Sequence, residues 1–262
     1  MKAPRKPSNV PHAVKSAWYV DAFKESYLSC YPLRSDAAAE SEIPFIRGAI
    51  NAPAGATILD LCCGAGRHSR VLASPAGGFR MIALDLSADL LNTARKHTPK
   101  KAPIQYIRGD MRRLPLQSES FDGVVNLFTS FGYFSTDIQN EHALREAARV
   151  LRPGRRLVLD FFNVTFVRKS LVAESEKIID GQRITERRWY DAKKGRLIKT
   201  VSGTLCGERI NRLESVRAYT PTELEALFKA AGFKLIARYG DLSGSKFNRT
   251  KSPRCVIVGE KN

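Results

Sequence analysis

The chain has 262 residues, 43% hydrophobic and 26% charged, which suits one globular domain with a modest elaboration. No stretch approaches the roughly 18 apolar residues of a membrane span, and five scattered cysteines, an odd number, are not a disulfide framework. The formal charge is +17 and concentrates in residues 161–262, which carry 21 basic and 11 acidic side chains, so the surface either draws anionic partners or is simply well solvated.

Residues 1–10 read as a disordered basic tail. They lack the apolar stretch of a secretory signal, and their prolines oppose an amphipathic transit helix, so the expected location is cytoplasmic. Residues 11–52 form an expected helical cap from two patterns: 16–31, with Trp18, Phe23, Tyr27 and Tyr31, and 35–50, opened by Ser35-Asp36. Residues 53–163 then alternate. "ATILDLCC" (56–63) is a buried strand and "RHSRVLAS" a helix. "FRMIALDL" is the second strand, "SADLLNTARKH" a helix capped by Ser87, and "APIQYIRGD" the third strand. "FDGVVNLF" is the fourth, "QNEHALREAARVL" a helix, and "RRLVLDFFN" the fifth strand. That rhythm predicts an α/β, doubly wound, mostly parallel seven-stranded Rossmann-like sheet covered on both faces. Residues 164–219 alternate like antiparallel strands, with turns at Asp180-Gly181 and Lys194-Gly195, and are read as an insertion or lid. Residues 220–262 supply a helix opened by Thr220-Pro221 and closed by Gly232, then two strands, the last antiparallel.

The stretch "ILDLCCGAGRHS" (58–69) holds the chemistry. Cys62 and Cys63 are adjacent, so they point to opposite faces of a strand and do not grip one metal together; they read as free buried thiols. A dinucleotide fingerprint needs G-x-G-x-x-G, but Gly64-Ala65-Gly66 is followed by Arg67, His68 and Ser69, without the third glycine. Asp60, just before the turn, is unwelcoming to a pyrophosphate. Asp85 ends the second strand 19 positions after Gly66, where a carboxylate can accept both hydroxyls of a ribose, and Asp110 ends the third strand within reach of an adenine amino group. One ribose, one adenine and a cationic tail fit this pattern better than a dinucleotide.

With "ILDLCCGAGRHS", "ALDLS", "GDMRRLP", "FDGVVNLFTSFGYF" and "LREAARVLRPGRRLVLDFFN" in that order, the chain resembles the class I S-adenosylmethionine-dependent methyltransferases, strongly over residues 56–163 and loosely in the flanks. Within that class it looks most like small-molecule, amino-sugar and glycine-type, N-methyltransferases. The resemblance implies S-adenosyl-L-methionine as cofactor, with Gly64, Ala65 and Gly66 beneath its methionine part, Asp60 beside that turn, and Asp85 and Leu86 at the ribose. Asp110 and the Met111 N–H would face the adenine, Asn126 and Leu127 would border the methyl donor, and Tyr27 and Arg34 would close over the cofactor. Two departures stand out: Cys62 where the family loop usually begins with glycine, needing only a small side chain there, and Arg155 where a second glycine is usual. Arg67 and His68 read as exposed residues of a helix's first turn.

Methyl transfer by in-line displacement asks mainly for alignment and a desolvated pocket, and a neutral amine needs little further help. A hydroxyl or catechol needs a base or a metal. No His/Asp/Glu cluster with metal spacing is present, and no general base is evident; the catalytic residue is left open, with Tyr133 and Asn163 as candidates for orienting the acceptor. Phe128, Phe131, Tyr133 and Phe134 follow the fourth strand as the acceptor wall, at least two of them expected to cover the sheet end instead. The insertion around Trp189 and Tyr190 would be a lid or a dimer contact, the chain being a monomer or homodimer with no membrane partner. The expected acceptor is a small-molecule amine. RNA, bound through the basic C-terminal part, is the alternative, although the Asn/Asp-Pro-Pro-aromatic motif of base-amine enzymes is replaced here by "NLFT".

Overall fold

The computed structural model describes residues 17–23, 27–28, 35–205 and 207–262. The expected basic tail and Arg34 lie outside the described residues. Strands β1 (Thr57–Leu61), β2 (Arg80–Asp85), β3 (Ile104–Arg108), β4 (Phe121–Asn126) and β5 (Leu151–Phe162) join the last two, β10 (Phe233–Tyr239) and β11 (Arg254–Lys261), in one seven-stranded sheet. Its order is β10-β11-β5-β4-β1-β2-β3. Neighbours from β5 to β3 pair in parallel, and β11 runs antiparallel to both β5 and β10. This is the doubly wound architecture expected, with one refinement: the last strand of the chain lies inside the sheet.

Successive residues along a strand face opposite sides. Leu59, Val124 and Leu157 belong to a core cluster completed by Leu144 and Phe228, while their neighbours Ile58, Val125 and Val158 belong to another completed by Ile46, Ile50 and Leu72. Both sides being buried explains why these strands read as unbroken apolar runs. The helices that cover them are α1 (Trp18–Ala22), α2 (Asp36–Glu40), α3 (Ile43–Ile50), α4 (Arg67–Leu72), α5 (Ala88–His97) and α6 (Asp137–Val150), then α7 (Val164–Ser170) and α8 (Pro221–Ala230). Ser87 caps α5 by accepting from the Leu90 N–H, and Thr220 with Glu223 forms a reciprocal capping box on α8 behind Pro221. Among the described residues no helix is long and apolar enough to cross a membrane.

Strands β6 (Glu174–Ile179), β7 (Gln182–Asp191), β8 (Arg196–Leu205) and β9 (Glu208–Arg217) form a separate antiparallel sheet in sequential order. Asp180 and Gly181 both have positive φ, 48° and 75°, as the two-residue hairpin requires. Helix α7 was not legible in the sequence, and it corrects one expectation. Asn163 is the N-cap of α7: its Oδ1 accepts from the Thr165 N–H, and its Nδ2 donates to the carbonyls of Arg249 and Ser252. Fully buried and fully engaged, it has nothing left to offer an acceptor.

Candidate active site

Chain order in the sheet reverses between β1 and β4, which opens a crevice at the carboxyl ends of the strands. The turn after β1 passes through three left-handed residues, Cys62 (φ 65°), Gly64 (57°) and Gly66 (76°). Glycine is favoured at the first position for its backbone freedom, then, and not for size alone; a cysteine there carries a cost of about 1–2 kcal/mol. A Cβ on Gly66 would stand 2.5 Å from the Tyr106 hydroxyl, so Gly66 sets the close approach of α4 to the sheet. A Cβ on Gly64 would meet only Leu90, at 3.9 Å. That position faces a cleft of about 370 Å³.

Asp85, at the end of β2, accepts the Gly64 N–H at 2.8 Å on one oxygen and the Ser87 N–H at 2.8 Å on the other. These bonds aim the carboxylate into the cleft and leave each oxygen a further lone pair. Burial nevertheless raises its pKa. Asp60 is raised for the same reason and accepts from the Ser69 hydroxyl at 2.5 Å. Ser69 stands where a dinucleotide fingerprint has its third glycine, so that position anchors a carboxylate here. Asp110 receives the Arg112 guanidinium (Nη2 to Oδ2 2.6 Å) and the Arg112 backbone N–H (2.9 Å). Although partial burial opposes it, these bonds hold the Asp110 carboxyl below its usual value. Burial pushes both the Cys62 and Cys63 thiols well up, keeping them protonated and unreactive at neutral pH.

The other half of the cleft is aromatic. Phe23 stacks on Tyr133 (5.6 Å, 19°), Trp18 meets Tyr133 at 5.1 Å, Tyr19 packs on Phe134 edge-on at 5.4 Å, and Phe23 on Tyr27 at 5.0 Å. Phe128 and Thr129 hold positive φ of 61° and 62° because the buried Asp160 accepts the Phe128 N–H at 2.8 Å and its carbonyl the Thr129 N–H at 2.9 Å. Arg254 forks onto that carboxylate with two 2.7 Å bonds. The Phe128 ring, 41% exposed at the rim, has the Arg67 guanidinium 4.8 Å from its centre.

A family described as a methyltransferase domain matches residues 58–154. The dTDP-3-amino-3,4,6-trideoxy-alpha-D-glucopyranose N,N-dimethyltransferase of Streptomyces venezuelae is 30% identical over 200 residues, 73% of this chain and 81% of that one. The chain belongs to the S-adenosylmethionine-dependent methyltransferases. The 2-phytyl-1,4-naphtoquinone methyltransferase of Thermosynechococcus vestitus is 30% identical over 197 residues, 73% of this chain and 78% of that one. The CcbJ methyltransferase of Streptomyces caelestis shares the fold, with a TM-score of 0.76 at 19% identity over 92% of this chain and 97% of that one. The enzyme's cofactor is S-adenosyl-L-methionine.

Of the residues singled out from sequence, the methyltransferase fold brings Tyr27, Asp60, Gly64, Ala65, Asp85 and Leu86 together around the cleft with Asp110, Met111, Leu127 and Tyr133. Gly66 and Asn126 stand behind the lining. Asn126 donates to the Leu61 carbonyl at 2.8 Å and the Ser130 carbonyl at 3.4 Å, tying the end of β1 to the loop after β4. Phe131 turns away, packing edge-on against Phe161 and tilted against Tyr219 in the core. His68 corrects the expectation of an exposed first turn: it is buried against the Glu42 carboxylate at 2.6 Å. Sequence reading also missed Arg70, which forks onto Asp36 with two 2.6 Å bonds and donates to the Ala65 carbonyl at 2.6 Å. These pairs latch α2 and the start of α3 to the glycine turn. Their partners lie 26 and 34 positions apart, beyond the reach of any local pattern. Among the described residues no group of three His, Cys, Asp or Glu side chains is placed to hold a metal.

Proposed function

We propose that this methyltransferase acts on a small-molecule amine. The observation that carries the proposal is the composition of the acceptor half of the cleft: phenol and phenyl rings, with no carboxylate or imidazole free to take a proton. Among the described residues that line the whole cleft, Asp60 is held by Ser69 and His68 by Glu42, and Asp85, Asp89 and Asp110 belong to the ends of β2 and β3 and the start of α5, in the half read as the cofactor's. A neutral amine brings its own lone pair and needs only alignment and exclusion of water, which rings supply. Likeness to the amino-sugar N,N-dimethyltransferase supports the same reading.

The donor set fits the cofactor: a cleft-facing glycine with open space beside its Cα, and a carboxylate with unused lone pairs. Asp85 would hold the ribose diol, with Leu86 beside it. Gly64 and Ala65 would pass beneath the methionine part, with Asp60 behind, and Leu127 would border the reacting end. The Met111 N–H and Asp110 would take the adenine edge, Asp110 giving up part of its fork with Arg112. Tyr27 would cover the site. When bound, the cofactor supplies an electrophilic methyl group on a sulfonium. The chain's own task is to hold the amine's lone pair in line with it, and Tyr133 is the polar group on the wall best placed to do so.

The test is transfer of labelled methyl from S-adenosylmethionine to dTDP-3-amino-3,4,6-trideoxy-alpha-D-glucopyranose, to a panel of simpler amines, to a catechol and a prenylated naphthoquinone, and to purified tRNA. Label in one of the amines is the expected result. Label confined to the catechol or quinone, or to tRNA, would overturn the amine assignment and leave the family membership intact.

A further inference from the structure

The loop from Phe128 to Phe134 has no regular secondary structure, so its backbone groups must find partners elsewhere. Three successive carbonyls converge on one side chain of the inserted sheet. Arg196, the first residue of β8, donates from Nη1 to the Phe134 carbonyl at 3.0 Å and from Nη2 to those of Tyr133 (3.2 Å) and Gly132 (3.3 Å). The guanidinium is itself fixed from the other side by Ser215, fully buried on β9, with Nε to the hydroxyl at 2.8 Å and Nη2 to the carbonyl at 2.5 Å. Among the described residues it has no carboxylate within ion-pair distance. A charged, planar donor fork is thus spent entirely on neutral oxygens, an arrangement whose geometric demand exceeds that of a lone charge.

We infer that Arg196 is the positioning residue of the acceptor site, acting through the backbone of Tyr133 and Phe134. This rests on the reading of those rings as the acceptor wall. Peptide units are planar, so holding the carbonyls before, at and after Tyr133 fixes the peptide planes on both sides of it, and with them the direction in which its side chain leaves the backbone. The Trp18 indole N–H adds a 3.3 Å bond to the Tyr133 carbonyl, and the Arg217 N–H donates to that of Gly132 at 2.8 Å. No described residue of β6 to β9 lines the cleft. The insertion therefore shapes the acceptor wall from behind, which is a different task from the lid that its sequence suggests.

Two variants separate geometry from charge: Arg196→Met keeps the volume and loses the donors, and Arg196→Lys keeps the charge and loses the fork. Affinity for S-adenosylhomocysteine, measured by calorimetry, should stay within about threefold of wild type in both, showing that each variant is folded. Hydrogen exchange of residues 128–136 should speed up by about tenfold or more in the Met variant, while β2 and β7 keep their protection. With dTDP-3-amino-3,4,6-trideoxy-alpha-D-glucopyranose as the probe acceptor, kcat/KM should fall by about tenfold or more in both variants. Unchanged exchange in the loop, equal loss of protection in every strand, or full turnover in the Lys variant would each overturn the inference. If the loop loosens as expected while the wild type labels no amine, the amine reading falls and the positioning role stands.

Discussion

Asp85 is half-buried and holds two backbone N–H groups, one from the glycine turn and one from the start of α5, so its carboxylate is part of the turn as well as of the proposed ribose site. Asp85→Ala is expected to weaken S-adenosylhomocysteine binding by roughly ten- to hundredfold, about 1.5–3 kcal/mol for a charge-assisted pair of bonds. Because burial raises the Asp85 pKa, its ionised form fills in over an interval displaced upward from that of an ordinary carboxylate. Affinity in the wild type should rise with pH through that interval, and calorimetry of Asp85→Asn should find most of the rise gone. Tyr133→Phe removes one hydroxyl from the wall and leaves the ring stacked on Phe23. Cofactor affinity should hold while turnover of the true acceptor drops by about tenfold. A lowered melting temperature with unchanged turnover would make Tyr133 a packing residue.

At the scale of elements, two short helices depend on partners rather than on their own length. Five-residue α2 and the first turn of α3 are marginal by themselves. They are held over the glycine turn by Asp36 on Arg70 and Glu42 on His68. The Asp36 side chain is 41% exposed, so solvent screens that pair, and about 1 kcal/mol is a fair value for its loss. Arg70→Ala also strips a bond from the Ala65 carbonyl, inside the turn itself. It should therefore raise the dissociation constant of S-adenosylhomocysteine severalfold, mainly through a faster off-rate, whereas Asp36→Asn should do so less. Stopped-flow dissociation measurements of the two variants check this ranking.

Over the whole molecule, the basic surplus is partly spent inside the insertion. The buried Glu186 carboxylate is gripped by Lys177, Arg188 and Lys199, and Arg187 and Arg183 pair with Glu174 and Glu176. What remains should bind tRNA weakly and without sequence preference, with affinity falling steeply as salt rises, and transfer no methyl group to it. Filter binding across a salt series, together with label counting, tests both halves. Acid stability follows from the same carboxylates. Arginine and lysine partners or backbone N–H groups hold Asp122, Glu146, Glu186 and Glu223 below their usual values, and the turn around Asp241 brings that group to about 2. Groups so depressed contribute stability that is complete above the ordinary carboxylate range and is lost as pH falls through their folded values. Asp60 and Asp85, raised by burial, act in the opposite sense. Depressed groups outnumber them, so the melting temperature should fall as pH drops from about 5 toward 2, and less steeply in Asp241→Asn.

The succession of strands and helices along the chain, and the residues at the ends of β1, β2 and β3 that converge on the cleft, were legible in the sequence because both are local. Period-two and period-3.6 patterns need only a few neighbouring residues, and Gly64, Asp85 and Asp110 each stand at the end of a readable strand. The acceptor half was not legible to the same degree. Phe128, Phe131, Tyr133 and Phe134 look alike in the chain, and only tertiary packing turned Phe131 into the core and kept the other three at the cleft. Asn163 looked like a residue after a strand and proved to be a helix cap, since the seven-residue helix it starts gives too weak a periodic signal. His68 and Arg196 found partners 26 and at least 19 positions away, and Arg254 reached Asp160 across 94. Sequence by itself determined the elements that carry the residues proposed for the cofactor; which side chains meet across those elements was decided by the tertiary structure, because such meetings depend on burial and approach between segments that no local spacing encodes.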